Sequence, residues 1–352
     1  MKKRFLITGG AGFFGSLFAE YLVKRGFCPV ILDRLYDKDM AGKYLYYQGD
    51  FRIKTVIDDV FNKFGPFDTV FHFGAELAHC MVSEKSLWSS NVDGTKNMVE
   101  ASIKHQVKHF VFTSSNCAVG KPTKNFLSVK ETDPVNPLEL YGRSKLEGEN
   151  ILRRYGEKIN ITTFRCPTII APGRLGLLTI LFDFIKEGRK VWVVGKGDNR
   201  YQFVYAYDLA NACLLAVKDP KSPGFSLYNI GSDNVKNIAD IYKFVIKKAG
   251  TSAKIASLPK NITLFLMKAA YKLGISPLGP YHYGMIAESF VFNTSKIKKE
   301  LGWKPTKTNE EILWEAYLYF EKNYQSVLHG EGSSPHRSAA KMGIIKLLKL
   351  VS

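Results

Sequence analysis

The tightest constraint on the fold lies in eight residues, TGGAGFFG at positions 8–15, which follow the apolar run KRFLI and open an amphipathic stretch. Gly9, Gly12 and Gly15 stand at G-x-x-G-x-x-G spacing. Between a strand and a helix, that spacing lets the chain turn tightly. It also brings backbone amides close to a pyrophosphate and lets the helix pack on the sheet with its N-terminus facing the phosphates. The strand–turn–helix unit is completed by a helix over Phe14 to Arg25 and a second strand, PVILD, that ends on Asp33. An acidic side chain there accepts hydrogen bonds from the ribose hydroxyls of a dinucleotide and repels a 2′-phosphate, which favours NAD over NADP. Arg34, next in the chain, softens that preference.

The same alternation continues through TVFHFGA, a helix beginning near Asn91, HFVFTSS, a helix from Tyr141, and NITTFRC. Strands alternating with helices predict an α/β fold with a doubly wound parallel sheet. Beyond Arg165 the pattern becomes irregular. Pro167, Pro172 and Gly173 mark a loop, followed by a helix from Leu177 to Glu187, the strand KVWVVG, the strand-into-helix segment FVYAYDLANACLLAV and the strand SLYNIGS; residues 235–325 read as mainly helical. The predicted organisation is a nucleotide-binding domain over 1–165 with a return segment at about 201–232, and a smaller, mainly helical substrate lobe from 166–200 and 233–325. A linker and tail occupy 326–352. No internal repeat is visible.

Composition removes several classes. A chain of 352 residues, 45% apolar, can bury one large core or two that share a cleft. The five cysteines, Cys28, Cys80, Cys117, Cys166 and Cys213, form no CxxC pair and no cluster with histidine. That excludes a zinc site and a disulfide scaffold and suggests a reducing, cytoplasmic compartment. MKKRFLITGG starts like a signal peptide, but its apolar run breaks at once, and no later run approaches the roughly 18 apolar residues that span a bilayer.

The net charge of +18 fits nucleic acid, an anionic membrane or phosphorylated substrates. The lysines are interleaved with acids and no nucleic-acid signature accompanies them, so nucleic acid is not expected. The C-terminal SAAKMGIIKLLKLVS sets Ile344, Ile345, Leu347, Leu348 and Leu350 among Lys341, Lys346 and Lys349, after the linker-like HGEGSSPHRS. That is a short basic amphipathic helix. Docking on its own domain and peripheral contact with the inner face of a membrane both remain open.

In LYGRSKLEGE, residues 140–149, Tyr141 and Lys145 share a helix face one turn apart. The pair suits a solvated surface helix or a proton-transfer pair. In the second case the ammonium favours the phenolate. A unit charge at about 4 Å in an effective dielectric near 20 is worth about 4 kcal/mol, enough to move a phenol most of the way toward neutrality.

The neighbouring motifs decide. With TGGAGFFG, Asp33, Gly49-Asp50, HFGAE, NVDGT, TSS and YGRSK in this order, residues 3–320 resemble the extended short-chain dehydrogenase/reductase superfamily, the NAD-dependent epimerases, dehydratases and related reductases. The resemblance implies a Rossmann-type domain with a C-terminal substrate lobe and no catalytic metal. It implies Tyr141 as general acid/base, Lys145 as the residue that holds the nicotinamide ribose and lowers the phenol's pKa, and Ser115 as the residue that positions substrate. Ser114 lies near the cofactor. Phe13 and Phe14 fall in the phosphate loop, Asp50 and Phe51 at adenine, and Phe73, Gly74 and Ala75 beside the ribose. Asn91 opens the helix behind the site, and Pro167 packs by the nicotinamide. Glu76 and Asn116 join Ser115 on the substrate side. Relatives of this kind often pair as homodimers through helices like those at Asn91 and Tyr141.

The sequence departs from the sugar-nucleotide epimerases at two substrate positions. Thr168 replaces the usual asparagine after the strand ending at Arg165, and Tyr201 replaces an arginine, with Arg200 displaced by one. A one-residue shift on a strand reverses the face of the side chain. Two enzymatic readings follow: an epimerase acting on a nucleotide- or lipid-linked sugar, and an NAD(P)-dependent hydroxysteroid- or flavonol-reductase-like dehydrogenase acting on an apolar or lipid-linked alcohol. A catalytically inert NAD sensor need not keep Ser115, Tyr141 and Lys145 together. A dehydratase fits less well, because Asn116 and Cys117 follow Ser115 where that branch uses an acidic pair.

Overall fold

The computed structural model describes residues 3–77, 82–121, 127–218, 222–275 and 279–329, so the C-terminal tail expectation lies outside the described residues. The first half alternates as β1 (Arg4–Thr8), α1 (Phe13–Val23), β2 (Cys28–Asp33), α2 (Lys38–Lys43), β3 (Leu45–Gln48), α3 (Lys54–Phe64) and β4 (Thr69–His72). A longer helix then opens as α4 (Glu84–Trp88), widens into a π-helical turn over Ser89–Gly94 and resumes as α5 (Thr95–Lys104). Next come β5 (His109–Ser115), α6 (Asn116–Val119), α7 (Leu140–Tyr155) and β6 (Asn160–Cys166).

The second half runs β7 (Thr168–Ile170), α8 (Leu178–Lys186), β8 (Lys190–Val194), β9 (Phe203–Tyr205), α9 (Ala206–Ala216), β10 (Gly224–Asn229), α10 (Ile238–Ala249) and β11 (Lys254–Leu258). The chain continues through α11 (Lys260–Lys272), α12 (Pro280–Met285), α13 (Ser295–Leu301) and α14 (Asn309–Lys322).

Seven strands form one parallel sheet in the order β10-β6-β5-β4-β1-β2-β3. Alternation along β1 explains the two layers of helices. Phe5 and Ile7 join Phe18 of α1 and Leu209 of α9 in one apolar cluster. Leu6 joins Val60 of α3, Val99 of α5 and Leu152 of α7 in the other. A third core, built from Phe182, Ile241, Val245, Tyr317 and Phe320, ties α8, α10 and α14 together outside the sheet. Two small parallel sheets, β8 with β11 and β7 with β9, complete that part.

Two readings need correction. The helix expected to begin near Asn91 begins at Glu84, where the Ser83 hydroxyl accepts from the Ser86 amide. Asn91 stands in the π turn in mid-helix instead. The stretch EKSLWSS has too little apolar periodicity to announce a helix. Residues 254–258, inside the segment read as mainly helical, are a strand because KIASL finds a partner in β8.

Strand order reverses between β1 and β4, so the crevice at their C-terminal ends is where a ligand is received. Gly9 (φ 71°) and Gly74 meet there. A Cβ on Gly9 would lie 2.6 Å from the Gly74 Cα.

Candidate active site

The phosphate turn is built on close backbone approach. Gly9 occupies the left-handed region that glycine reaches freely. A Cβ on Gly15 would stand 2.2 Å from the Gly9 carbonyl oxygen, so the first turn of α1 lies directly on the loop. Gly12 is the N-cap of α1. Asp33, at the end of β2, ties this loop to the next. One carboxylate oxygen accepts from the Ala11 amide (2.9 Å) and the other from the Leu35 amide (3.0 Å). Burial raises the Asp33 pKa, and these amides and Arg34 oppose the rise.

An ion-pair network borders this turn. The Arg34 guanidinium pairs with the buried Glu76 carboxylate, and Arg52 reaches Glu76 at 3.8 Å and Asp50 at 2.5 Å. Burial alone would raise Asp50, but hydrogen bonds and charge from Arg52 outweigh it and hold the carboxyl below its usual range. The structure therefore sets Glu76 with Arg34, Arg52 and Asp50. The Phe51 ring sits edge-on to His72 (5.0 Å), wedged where a Cβ on Gly74 or Gly94 would come within 2.5 Å of it. Phe14 packs on Phe73 (4.7 Å), and Ala75 follows on the same loop.

The Tyr-Lys helix is placed by its first residues. Glu139 caps α7, its carboxylate accepting from the Tyr141 and Gly142 amides at 2.7 Å each. A Cβ on Gly142 would fall 2.3 Å from the Cys117 carbonyl oxygen, so the second residue of Y-G-R-S-K lets α7 close onto α6. That contact brings Tyr141 near Ser115, whose hydroxyl donates to Asn116 Oδ1 (3.2 Å) and slightly offsets the rise in the phenol's pKa. Ser115 also caps α6 by accepting from the Cys117 amide (3.1 Å).

Asn91 is a strut. Its side chain accepts from the Glu76 amide (2.8 Å) and donates to the Glu76 carbonyl (2.9 Å) and the Ser144 hydroxyl (3.0 Å), so its amide is spent on holding the β4 loop against α7.

The electrostatics of the pair differ from expectation. Lys145 is 3% exposed, its ammonium 4.1 Å from the centre of the Phe112 ring, and burial pulls its pKa down to about 8. Burial raises the Tyr141 phenol above its ordinary value, and Cys117 and Glu139 add to the rise. Neither shift carries a contribution from the other member of the pair; burial sets both, and the phenol is neutral. Beneath them, Arg165 grips Glu149 with bonds of 2.7 and 3.0 Å in a buried pair, and Ser114 donates to Glu149 (2.5 Å). Ser114 thus serves this pair. His72, between the Thr8 and Thr95 hydroxyls (2.7 and 3.1 Å), is held neutral by burial and by Lys145, its pKa lowered to about 3.

On the opposite side Asn116 donates to the hydroxyls of Tyr201 (2.8 Å) and Tyr281 (2.6 Å), which are themselves 3.1 Å apart. Thr168 lies near the Tyr201 hydroxyl and slightly lowers its pKa, and Pro167 is buried between β6 and β7. Arg200 is exposed, its guanidinium toward Asn237 (3.4 Å), while Tyr201 turns inward, as alternation along an extended segment requires.

Sequence reasoning missed two residues here. Tyr281, from α12, carries no local signal in PYHYG. Arg174, in APGRLG, stands with its guanidinium 5.7 Å from the centre of the Phe13 ring and close enough to Tyr141 to feel its charge. Its Nε and Nη1 are buried without a hydrogen-bond partner, and burial pulls its pKa down to about 10. A basic residue directly after a Pro-Gly turn at the end of β7 was the available cue.

The residues present fit a dinucleotide. The glycine turn lets α1 start directly on the loop, Asp33 ends the next strand beside it, and the Arg174 Nε and Nη1 and the buried Glu76 Oε2 have no hydrogen-bond partner among the described residues. Among the described residues no group of three or more His, Cys, Asp or Glu could hold a metal.

Comparison with known proteins agrees. The NAD dependent epimerase/dehydratase family model matches residues 5–231. An uncharacterized protein of Sinorhizobium fredii is 36% identical over 98% of this chain and 85% of its own length. A UDP-glucose 4-epimerase of Streptomyces lividans is 24% identical over 92% of this chain and 99% of its own. The crystal structure of a UDP-glucose 4-epimerase of Thermotoga maritima, solved with UDP-glucose, superposes with a TM-score of 0.75 at 23% identity, over 91% of this chain and 99% of that one. The chain is an enzyme and belongs to the NAD dependent epimerase/dehydratase family.

Proposed function

We propose that the chain is an epimerase that uses NAD without consuming it, acting on a nucleotide-activated or lipid-linked sugar, with Tyr141 as general acid/base. One observation carries this reading: the Arg174 guanidinium stands over the Phe13 ring of the glycine turn and close enough to the Tyr141 phenol to feel its charge, with Ser115 near the same phenol. Lys145 stands one helical turn away, and Arg174 is close enough to act on its charge. The names of the relatives, UDP-glucose 4-epimerases, support the substrate class.

NAD, when bound, supplies the hydride acceptor and donor. Ser115 holds the sugar hydroxyl in line with the phenol. Tyr141 takes that hydroxyl's proton on oxidation and returns it after the sugar has turned over, so protons balance across the cycle. Because burial keeps the phenol protonated in the ligand-free chain, its proton must leave before the first oxidation. Lys145 and Arg174 are the cations positioned to stabilise the phenolate that results. Gly9, Gly12 and Gly15 would receive the pyrophosphate, with Asp33 at the ribose. Pairing of two copies through α5 and α7 belongs to the same reading, since a groove lined by Lys96, Ile151, Arg154 and Tyr155 lies on that face. Free thiols at Cys28, Cys117, Cys166 and Cys213 suit a reducing, cytoplasmic setting.

A second reading, a dehydrogenase acting on an apolar or lipid-linked alcohol, is favoured by the inward Tyr201, Tyr281 and Thr168 and the outward Arg200. NMR of UDP-sugar interconversion, with nicotinamide absorbance followed in parallel, separates the two. Isomer exchange at constant absorbance is expected, whereas stoichiometric NADH formation without isomer establishes the dehydrogenase. Tyr141→Phe should lower turnover by about 10²–10⁴-fold while NAD affinity stays within a few-fold. Unchanged turnover overturns the assignment of Tyr141.

A further inference from the structure

The strongest unassigned feature is α11. Successive helical residues advance by about 100°, so Ile262, Phe265, Leu266, Ala269 and Leu273 fall in one stripe. That stripe faces solvent. Ile262 is 62% exposed, Phe265 70%, Leu266 58% and Leu273 73%, while the opposite side, with Ala270, Leu264 and Met267, packs inward. A contiguous row of large apolar side chains left bare on a soluble surface marks an interaction site.

Charge identifies the occupant. Between Asp240 and Glu288 the chain has 47 residues with seven lysines and no carboxylate. Lys260 is offset by an ion pair with Glu288 (3.2 Å), but Lys268 and Lys272, on the flank of the stripe, make no ion pair among the described residues. Two copies joined through this face would press lysines against lysines. The chain's own tail, with Lys341, Lys346 and Lys349 among its apolar residues, carries the same sign. An apolar stripe bordered by cations matches a surface that is anionic outside and apolar beneath.

We propose that α11 is a membrane-docking element that lays Ile262, Phe265, Leu266 and Leu273 into the interface of an anionic phospholipid bilayer, with Lys268 and Lys272 at the headgroups. The position has a consequence for the site. The Tyr271 and Tyr283 rings, 6.1 Å apart, pack α11 against α12, and α12 also carries Tyr281, which is hydrogen-bonded to Asn116. Docking by α11 therefore sets the substrate side of the site at the bilayer. The inference does not depend on which alcohol the site accepts.

Vesicle co-sedimentation of the full chain tests it. Phosphatidylglycerol-containing vesicles should retain the protein at least about tenfold better than phosphatidylcholine alone, because each lysine near an anionic surface contributes. Phe265→Ser with Leu266→Ser, and separately Lys268→Glu with Lys272→Glu, should each weaken retention by roughly tenfold or more, with near-UV circular dichroism unchanged. Lys346→Glu with Lys349→Glu in the tail should leave most of the retention in place. The proposal is overturned if the wild type ignores anionic vesicles or if the α11 variants sediment like it. It is equally overturned if the tail variant alone abolishes binding, or if light scattering shows a dimer that the Phe265/Leu266 variant dissolves.

Discussion

Two regions of the candidate site, the glycine turn with the Tyr-Lys helix and the hydroxyl cluster around Tyr201, are built by different rules. In the first, each chemical role sits on a short local motif whose geometry the backbone enforces: Gly9, Gly12 and Gly15 in one turn, Tyr141 and Lys145 in one helical turn. In the second, one cluster of hydroxyls joins Asn116 from α6, Thr168 from β7, Tyr201 from a loop and Tyr281 from α12. Local geometry can be dictated by residue type alone, whereas an assembled cluster depends on every element that carries it. Substitutions in the two regions should therefore fail in different ways.

The largest effect is expected at Gly9. Gly9→Ala forces a Cβ onto Gly74 and strains a left-handed residue, so NAD binding should be lost and stability should fall by several kcal/mol, of which the backbone alone accounts for about 1–2 kcal/mol. Gly250, the left-handed cap of α10, has nothing within 4 Å of its Cβ position. Gly250→Ala should cost only the backbone part, with NAD binding intact. Cofactor titration and urea melts of both variants measure the contrast, and equal behaviour would remove it.

Next in size is the buried pair under the site. Arg165→Met leaves the Glu149 carboxylate buried without its cation, a change expected to cost about 3–5 kcal/mol. Glu149→Leu added to it should restore much of the loss in a urea melt. Recovery would show that this pair serves specificity of packing between α7 and β6, on which the motif residues ride.

Burial of Lys145 gives a pH signature. Its pKa falls from 10.5 to about 8, so the folded chain binds fewer protons than the unfolded chain between those values. The Lys145 contribution to stability should therefore rise with pH across that window by roughly 3 kcal/mol, while the buried Cys117, Cys166 and Cys213 thiols, whose pKa values burial raises, contribute in the opposite sense. Lys145→Met should be more stable than the wild type below pH 8, and the difference between the two should close as pH rises toward 10.5. Thermal melts across that pH range check the sign. A difference between wild type and variant that does not change over the window would show that Lys145 has a partner that keeps it charged.

Legibility followed the same division. The parallel sheet, the glycine turn, Asp33 and the Tyr-Lys spacing could be read because period and spacing act over a few residues. The roles of Asn91 and Ser114 read differently in three dimensions. Their polar atoms are bonded to Glu76, Ser144 and Glu149. A motif shows that a residue is needed without showing which neighbour needs it. Arg174, with its one local cue, and Tyr281, with none, were missed for the opposite reason. Their sequence neighbourhoods are loop-like, and only the packing of α12 and of the loop after β7 brings them to Tyr201 and Tyr141. The neutral phenol was missed because distance along a helix says nothing of desolvation.

The smallest expected effect is also the sharpest probe of the division. Tyr281→Phe removes one hydroxyl, which accepts from Asn116 at 2.6 Å and meets Tyr201 at 3.1 Å, while leaving the ring that packs in the Phe290 and Met285 cluster. A single neutral hydrogen bond contributes about 1 kcal/mol, so sugar turnover at low substrate should fall by roughly fivefold. The hydroxyl's recorded bonds run to Asn116 and Tyr201, so NAD affinity should stay within error of the wild type. If cofactor titration weakens in step with turnover, the hydroxyl cluster is coupled to the dinucleotide through Tyr141. The assembled region would then not be separable from the encoded one.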